Sequence, residues 1–91
     1  MVEWAARKAR ANFEKHGVAF DEAASAFDDP GGLDGEDLRH SVTETRRLRL
    51  AMSEARRLLV VAYTMRGQAV RLISARFASR RDGKRYGEAQ D

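Results

Sequence analysis

The sequence predicts an α+β fold in which helices pack against an antiparallel sheet. Three observations carry that prediction. The stretch 57–76, RLLVVAYTMRGQAVRLISAR, sets two runs rich in β-branched and aromatic residues, 58–64 and 69–74, on either side of a Gly-containing break at 65–68, the signature of a β-hairpin. Residues 46–52 alternate strictly, with Leu48, Leu50 and Met52 opposed to Arg47, Arg49 and Ala51, the period of a strand with one wet face. Residues 1–30 instead follow a helical period and break at Gly17 and at Asp28-Asp29-Pro30.

Taken in order, residues 5–15 are rich in Ala, Arg and Lys, with Trp4, Ala9 and Phe13 forming a narrow apolar stripe and His16-Gly17 supplying a helix stop. Phe20, Ala23, Ala24 and Phe27 then fall at i, i+3, i+4 and i+7, and Asp21 and Glu22 occupy the first turn, where the helix dipole favours anions. A second short helix is expected there. Residues 30–42 contain only Leu33 and Leu38 as large apolar groups before Val42, so a loop or a ragged edge strand is expected. After the strand at 46–52, residues 53–56 form the turn into the hairpin. In its second strand, alternation puts Val70, Leu72 and Ser74 on one face and Arg71, Ile73 and Ala75 on the other. Ser79-Arg80-Arg81-Asp82 resembles a capping box that starts a last helix. Gly83 inside it costs ~1 kcal/mol relative to Ala, so this helix is expected to be short and to fray.

A chain of 91 residues with 43% hydrophobic content suits one small domain, 1–91, with one modest core, so any chemistry belongs on the surface or in a shallow groove. The lack of cysteine excludes disulfides, thiolate metal sites and thiol catalysis. No signal-like apolar run follows Met1, and no apolar stretch approaches the ~18 residues of a membrane span, so a cytoplasmic protein without membrane contact is expected. The net charge of +3 conceals an asymmetry: residues 1–45 carry net −5 and residues 46–91 net +8. Arginine outnumbers lysine fourteen to three, which favours planar, bidentate contact with phosphate. The same surplus also reads as plain solvated surface.

His16 and His40 lie far apart in the sequence, and no Gly-rich phosphate loop follows a strand, so no metal and no cofactor are expected. What is left is arginine with a few acid–base groups. RNA can be cut with such a set, because the ribose 2′-hydroxyl is an internal nucleophile once a base accepts its proton and cations stabilise the phosphorane. Arg71 and Arg76 are the electrostatic candidates, with Tyr63 and Arg66 on the partner strand. His40, Glu44 and Lys15 are the candidate bases. Competing structural roles stand beside these: Arg71 paired with a carboxylate across the sheet, Tyr63 as strand packing, His16 as a partner of the helix C-terminal dipole, and Trp4 in the core.

Over nearly its whole length the chain resembles BrnT-type toxins of bacterial toxin–antitoxin pairs. The resemblance is carried by Glu3-Trp4, Asn12, Lys15-His16-Gly17, Phe20-Asp21-Glu22-Ala23 and Phe27-Asp28-Asp29-Pro30. It continues through Asp37, His40-Ser41, Glu44 before Arg46, the run 58–64, Arg71-Leu72-Ile73-Ser74-Ala75-Arg76, and Tyr86. It implies a RelE-like fold, a twisted antiparallel sheet with two N-terminal helices and a short C-terminal helix. It also implies an endoribonuclease held silent by a co-encoded antitoxin resembling BrnA, a ribbon-helix-helix protein through which alone operator DNA is contacted. The sheet arginines of the family carry over to Arg71 and Arg76, and Arg66 follows. Three departures stand out: Ala5 where aspartate is usual, Ala51 where glycine is usual, and Asp82-Gly83 in place of an acid and a basic residue, which is expected to weaken the last helix.

The expected function is therefore metal-independent RNA cleavage that inhibits translation, with Arg71, Arg76, Glu44 and His40 in the reaction and Lys15, Arg46, Tyr63, Arg66, Arg80 and Arg81 on the RNA. The rival is a non-catalytic RNA-binding module, or a degenerate toxin acting only as an antitoxin-bound co-repressor. Both keep the phosphate-binding arginines, and only the first needs a base.

Overall fold

The computed structural model describes residues 1–39 and 45–90. A two-residue strand β1 (Val2–Glu3) precedes α1 (Ala6–His16) and α2 (Phe20–Ser25), which tightens into a 3-10 turn at Ala26–Asp28. Then come β2 (Leu33–Glu36), β3 (Arg47–Met52), β4 (Leu58–Arg66), β5 (Ala69–Phe77) and α3 (Arg80–Ala89).

α1 starts at an extended Ala5 that makes no side-chain cap, so the departure from aspartate removes the acceptor such a position ordinarily supplies. It stops at Gly17, whose φ of 73° is the left-handed conformation glycine adopts without a steric penalty. α2 is shorter than its apolar spacing suggested. The chain leaves the α-helical path at Ala26, and Phe27 turns edge-on to Tyr63 with ring centroids 5.0 Å apart.

The strands form one sheet in the order β1-β5-β4-β3-β2. It is mixed rather than wholly antiparallel, because β1 runs parallel to β5, with Val2 opposite Val70 and Glu3 opposite Arg71. Two residues are too few to show a strand period, which is why β1 was not anticipated. Further along β5, a side chain replaces the missing neighbour. Asn12 accepts from the Ala75 N–H at 2.9 Å and donates to the carbonyls of Ala75 and Val18 at 3.0 Å each, so a buried amide closes the sheet edge.

Strict alternation fails in β5. Ser74 pairs with Ala62 and Leu72 with Tyr63, so Ile73 is an extra residue, a β-bulge. Ala75 therefore joins Leu72 in the core, and Arg71, Ser74 and Arg76 share the opposite face with their partners Thr64, Ala62 and Val60. The hairpin loop is Gly67-Gln68, with Gly67 at φ 62°, the positive angle a tight two-residue hairpin requires.

The core lies between the N-terminal helices and one sheet face, with Val18, Phe20, Ala23 and Ala26 packed on Ala51, Leu59, Val61, Tyr63, Leu72 and Ala75. Burying each of Phe20, Leu59 and Leu72 contributes roughly 1.5–3 kcal/mol relative to exposure. In β3 the arginine-bearing face is the covered one. Arg47, Arg49 and Ala51 pair with Tyr63, Val61 and Leu59 and so face the helices, while Leu48 and Leu50 face away. The physical reason is the set of acceptors waiting for Arg49: its Nε donates to the Ala26 carbonyl at 2.9 Å, Nη1 to Asp34, and Nη2 to the Asp29 carbonyl at 2.6 Å, with the group lying over Phe27. Gly32 makes room for it, since a Cβ there would lie 2.4 Å from Arg49 Cζ.

α3 runs for ten residues, longer than Gly83 led one to expect, because both limbs of its capping box form: Ser79 Oγ accepts from Asp82 N–H at 3.1 Å, and Asp82 accepts from Ser79 N–H at 2.9 Å. None of its residues is fully buried. The helix is moored by the Tyr86 hydroxyl, which donates to Asp29 at 2.6 Å, the same carboxylate oxygen that accepts from Met52 N–H at 2.8 Å.

Candidate nucleic-acid groove

The sheet face turned away from α1 and α2 carries an apolar floor of Leu48, Leu50, Val60 and Ala62. Two adjoining hollows open on it. One, of about 200 Å³, is bounded by Leu33 and Gly35 of β2, Arg76 of β5, and Asp82 and Arg85 of α3. The other, of about 390 Å³, is bounded by Asp37, Arg39, Arg46, Ser74, Arg76 and, from the end of α1, His16. Leu48, Val60 and Arg76 belong to both, so Arg76 stands at the junction. A third hollow of about 290 Å³ continues along α1 past Ser74 and His16 to Lys15 and Lys8. Basic side chains follow these hollows from Arg85 through Arg76, Arg46 and Arg39 to His16, Lys15 and Lys8, with Asp34, Glu36 and Asp82 among them at the α3 end and Asp37 in the middle.

Arg76 is 48% exposed at its side chain. Its Nη1 donates to the Phe77 carbonyl at 3.1 Å and to Asp82 at 3.2 Å. Partial burial opposes charge on Asp82, but the Ser79 amide and hydroxyl and the Arg76 guanidinium outweigh it and hold that carboxyl below its usual value. The cap of α3 thus also fixes one corner of Arg76, through Nη1.

The residues singled out from the sequence distribute unevenly. Arg76 and Arg46 line the groove, and Lys15 borders its extension. Arg71 shares the Arg76 face but stands at the edge, where its Nη1 meets Glu3 of β1 at 2.7 Å; the cross-sheet ion pair is the role the structure displays. Tyr63 requires a correction. It is 5% exposed and points to the covered face, where its hydroxyl donates to Asp34 at 2.7 Å and accepts from Arg47 Nε at 3.2 Å, so it does not line the groove. Burial and the bond to Asp34 push that hydroxyl above its ordinary pKa. Arg66 is exposed beside the hairpin loop, and Arg80 and Arg81 are exposed on the first turn of α3; none of the three lines either main hollow. His40 and Glu44 lie outside the described residues.

Sequence reasoning passed over Arg39 and Arg85 and assigned His16 to a helix terminus. No local signal marks them, because each reaches the groove only through tertiary contacts. Among the described residues no group of three or more His, Cys, Asp or Glu side chains is placed to hold a metal ion, and no helix is long and apolar enough to cross a membrane.

The chain is thus a small α+β fold with an apolar-floored, arginine-bearing groove on one sheet face. Residues 4–82 match the family described as ribonuclease toxin, BrnT, of type II toxin-antitoxin system, and the chain belongs to that family. Its fold is similar to that in the crystal structure of the Brucella abortus ribonuclease toxin, BrnT, with a TM-score of 0.67 and 20% sequence identity, covering 87% of this chain and 96% of that one. No curated protein matches the chain.

Proposed function

We propose that this chain is an endoribonuclease toxin that cuts RNA through attack of the ribose 2′-hydroxyl on the adjacent phosphate, without a metal ion. The observation that carries this reading is Arg76 at the centre of the basic groove, half-exposed and held at one corner only. A phosphate seated there receives charge-assisted hydrogen bonds that strengthen as the phosphorane forms. The apolar floor accommodates bases, and Arg46, Arg39 and Lys15 take the flanking phosphates. Arg71, exchanging Glu3 for phosphate, is a further flanking contact. The toxin acts on messenger RNA in the cytoplasm and so inhibits translation. Its silencing partner is a cognate antitoxin resembling BrnA, with a ribbon-helix-helix domain that alone touches operator DNA.

Inducible expression should arrest bacterial growth, and co-expression of the antitoxin should restore it. RNA recovered from arrested cells, or cut by purified protein in excess EDTA, should carry 2′,3′-cyclic phosphate ends. The ion pairs that occupy Arg71 and Arg76 favour one rival, a groove that binds RNA without cutting it. RNA bound in a salt-sensitive manner yet recovered intact, with growth unaffected, would decide for that rival.

A further inference from the structure

We propose that His16 is the proton acceptor of the cleavage step, an assignment that rests on the groove being a ribonuclease site. Three features of the fold place it there. Asn12 bonds both backbone groups of Ala75, the residue between Ser74 and Arg76, and so pins the side of α1 on which it lies to that point of β5. His16 is at i+4 from Asn12 and emerges on the same side of the helix one turn later. Gly17, at φ 73°, ends the helix immediately afterwards, which leaves His16 half-buried in the last turn and lining the hollow that holds Ser74 and Arg76. The two hydrogen bonds that close the sheet edge therefore also set an imidazole on the wall of the hollow that the central guanidinium lines.

The pair divides the chemistry as 2′-hydroxyl attack requires. A neutral imidazole is the side chain whose ordinary titration lies nearest neutrality and suits it to accept a proton, whereas a guanidinium keeps its charge throughout. The imidazole nitrogen takes the proton of the 2′-hydroxyl as O2′ bonds to phosphorus. Arg76 stabilises the non-bridging oxygens, the bond from phosphorus to O5′ breaks, and O5′ takes a proton from solvent. The imidazolium then returns its proton to solvent, leaving a 2′,3′-cyclic phosphate and a 5′-hydroxyl, with no oxidant, reductant or co-reactant. Among the described residues, the charged groups lining the hollows that His16 borders are Asp37 and Arg39 after β2, Arg46 before β3, Arg76 on β5, and Lys8 and Lys15 on α1 itself.

The test uses the full chain and an unstructured synthetic RNA, with a 2′-O-methyl copy of the same RNA to read binding alone and a translating extract as a second source of substrate. Wild type should show an acid limb in kcat that levels as the ring deprotonates. His16→Ala should lower kcat by about 10²-fold or more while KM and affinity for the 2′-O-methyl RNA stay within roughly threefold, and its acid limb should vanish. Added imidazole should restore part of the rate. His16→Gln, which keeps bulk and polarity, serves as the second variant, and both are compared with wild type by circular dichroism and thermal melting. An unchanged rate or a retained acid limb in a folded variant overturns the assignment, as does a rate loss matched by lost affinity. Cleavage that survives His16→Ala but not Arg76→Ala overturns this inference alone. RNA bound but left intact by wild type, in both the purified system and the extract, overturns the ribonuclease reading itself.

Discussion

Arg49 and Arg76 project from opposite faces of one sheet, and their surroundings differ in how completely the guanidinium is used. Arg49 is 12% exposed at its side chain and binds through all three nitrogens, to two backbone carbonyls and to Asp34, while lying over Phe27. Arg76 is 48% exposed and, among the described residues, bonds through Nη1 alone. On the covered face arginine is a structural cross-brace between β3, β2 and the 3-10 turn. On the grooved face it is a partly idle donor, and an idle donor next to an apolar floor is what a phosphate-bearing ligand can use. Residue type does not separate the two; the saturation of the hydrogen-bonding inventory does.

The largest effects should come from removing these two arginines in turn. Arg76→Ala should lower RNA cleavage about 10²–10³-fold with the thermal melt nearly unchanged, and Arg76→Lys should recover little, since an ammonium lacks the planar fork. Arg49→Ala should do the reverse, lowering stability in a denaturant titration by ~2–4 kcal/mol through the acceptors it strands. If Arg49→Ala left stability intact while abolishing cleavage, the division between the faces would fail.

Asn12→Ala joins the two sides. It strands the Ala75 N–H and the Ala75 and Val18 carbonyls in a buried edge, for an expected loss of ~2–3 kcal/mol, and it frees α1 from β5. Denaturant titration and cleavage rate should both fall. A variant that lost stability but kept full rate would show that the groove does not depend on this clamp.

How much of this was legible beforehand follows from which signals are local. The hairpin was visible because the residues of β4 and β5 favour strands and Gly67 marks the loop, and Ser79 with Asp82 announced α3. The bulge at Ile73 left no mark, since a bulged strand and a regular one share a composition; only the partner register shows that Arg71 and Arg76 lie on one face. β3 was legible only in part, because alternation is symmetric and separates two faces without saying which one is covered, and Tyr63 across the sheet shares that ambiguity. The groove could not be read at all from neighbouring positions, because Arg39, Arg76, Arg85 and His16 meet only through tertiary contacts.

Smaller effects should appear with acid. Burial opposes charge on Asp29, but the Tyr86 hydroxyl, the Met52 and Gly31 amides and the nearby Arg49 outweigh it and lower its carboxyl pKa. Glu22 is lowered chiefly by its hydrogen bond to Arg57, against burial and with help from Ser53. A carboxylate with a depressed folded value contributes fully above its unfolded value, near about 4, and loses that contribution as pH falls through the folded one. Stability should therefore drop below about pH 4, and Asp29→Asn should flatten part of that drop. An unchanged acid profile in the variant would show that the mooring of α3 to β3 adds nothing measurable.

The smallest effect concerns α3, which borders the groove and buries none of its residues completely. A Cβ on Gly83 would meet nothing within 4 Å. Gly83→Ala should thus raise amide-exchange protection within α3 about fivefold, for ~1 kcal/mol of helix propensity, while protection of β4 stays as it was. Equal gains in both places would mean that the grooved side and the core open as one unit.

The clamp between Asn12 and Ala75 joins positions 63 residues apart, and the pair of Glu3 with Arg71 spans 68. Synthesis runs from the N-terminal end, so α1 is made long before the strand that receives it. A half-made chain carries the histidine and the lysines without Arg76 or the sheet floor, and has no groove. The groove therefore comes into being only once β5 has been made, long after α1 is complete.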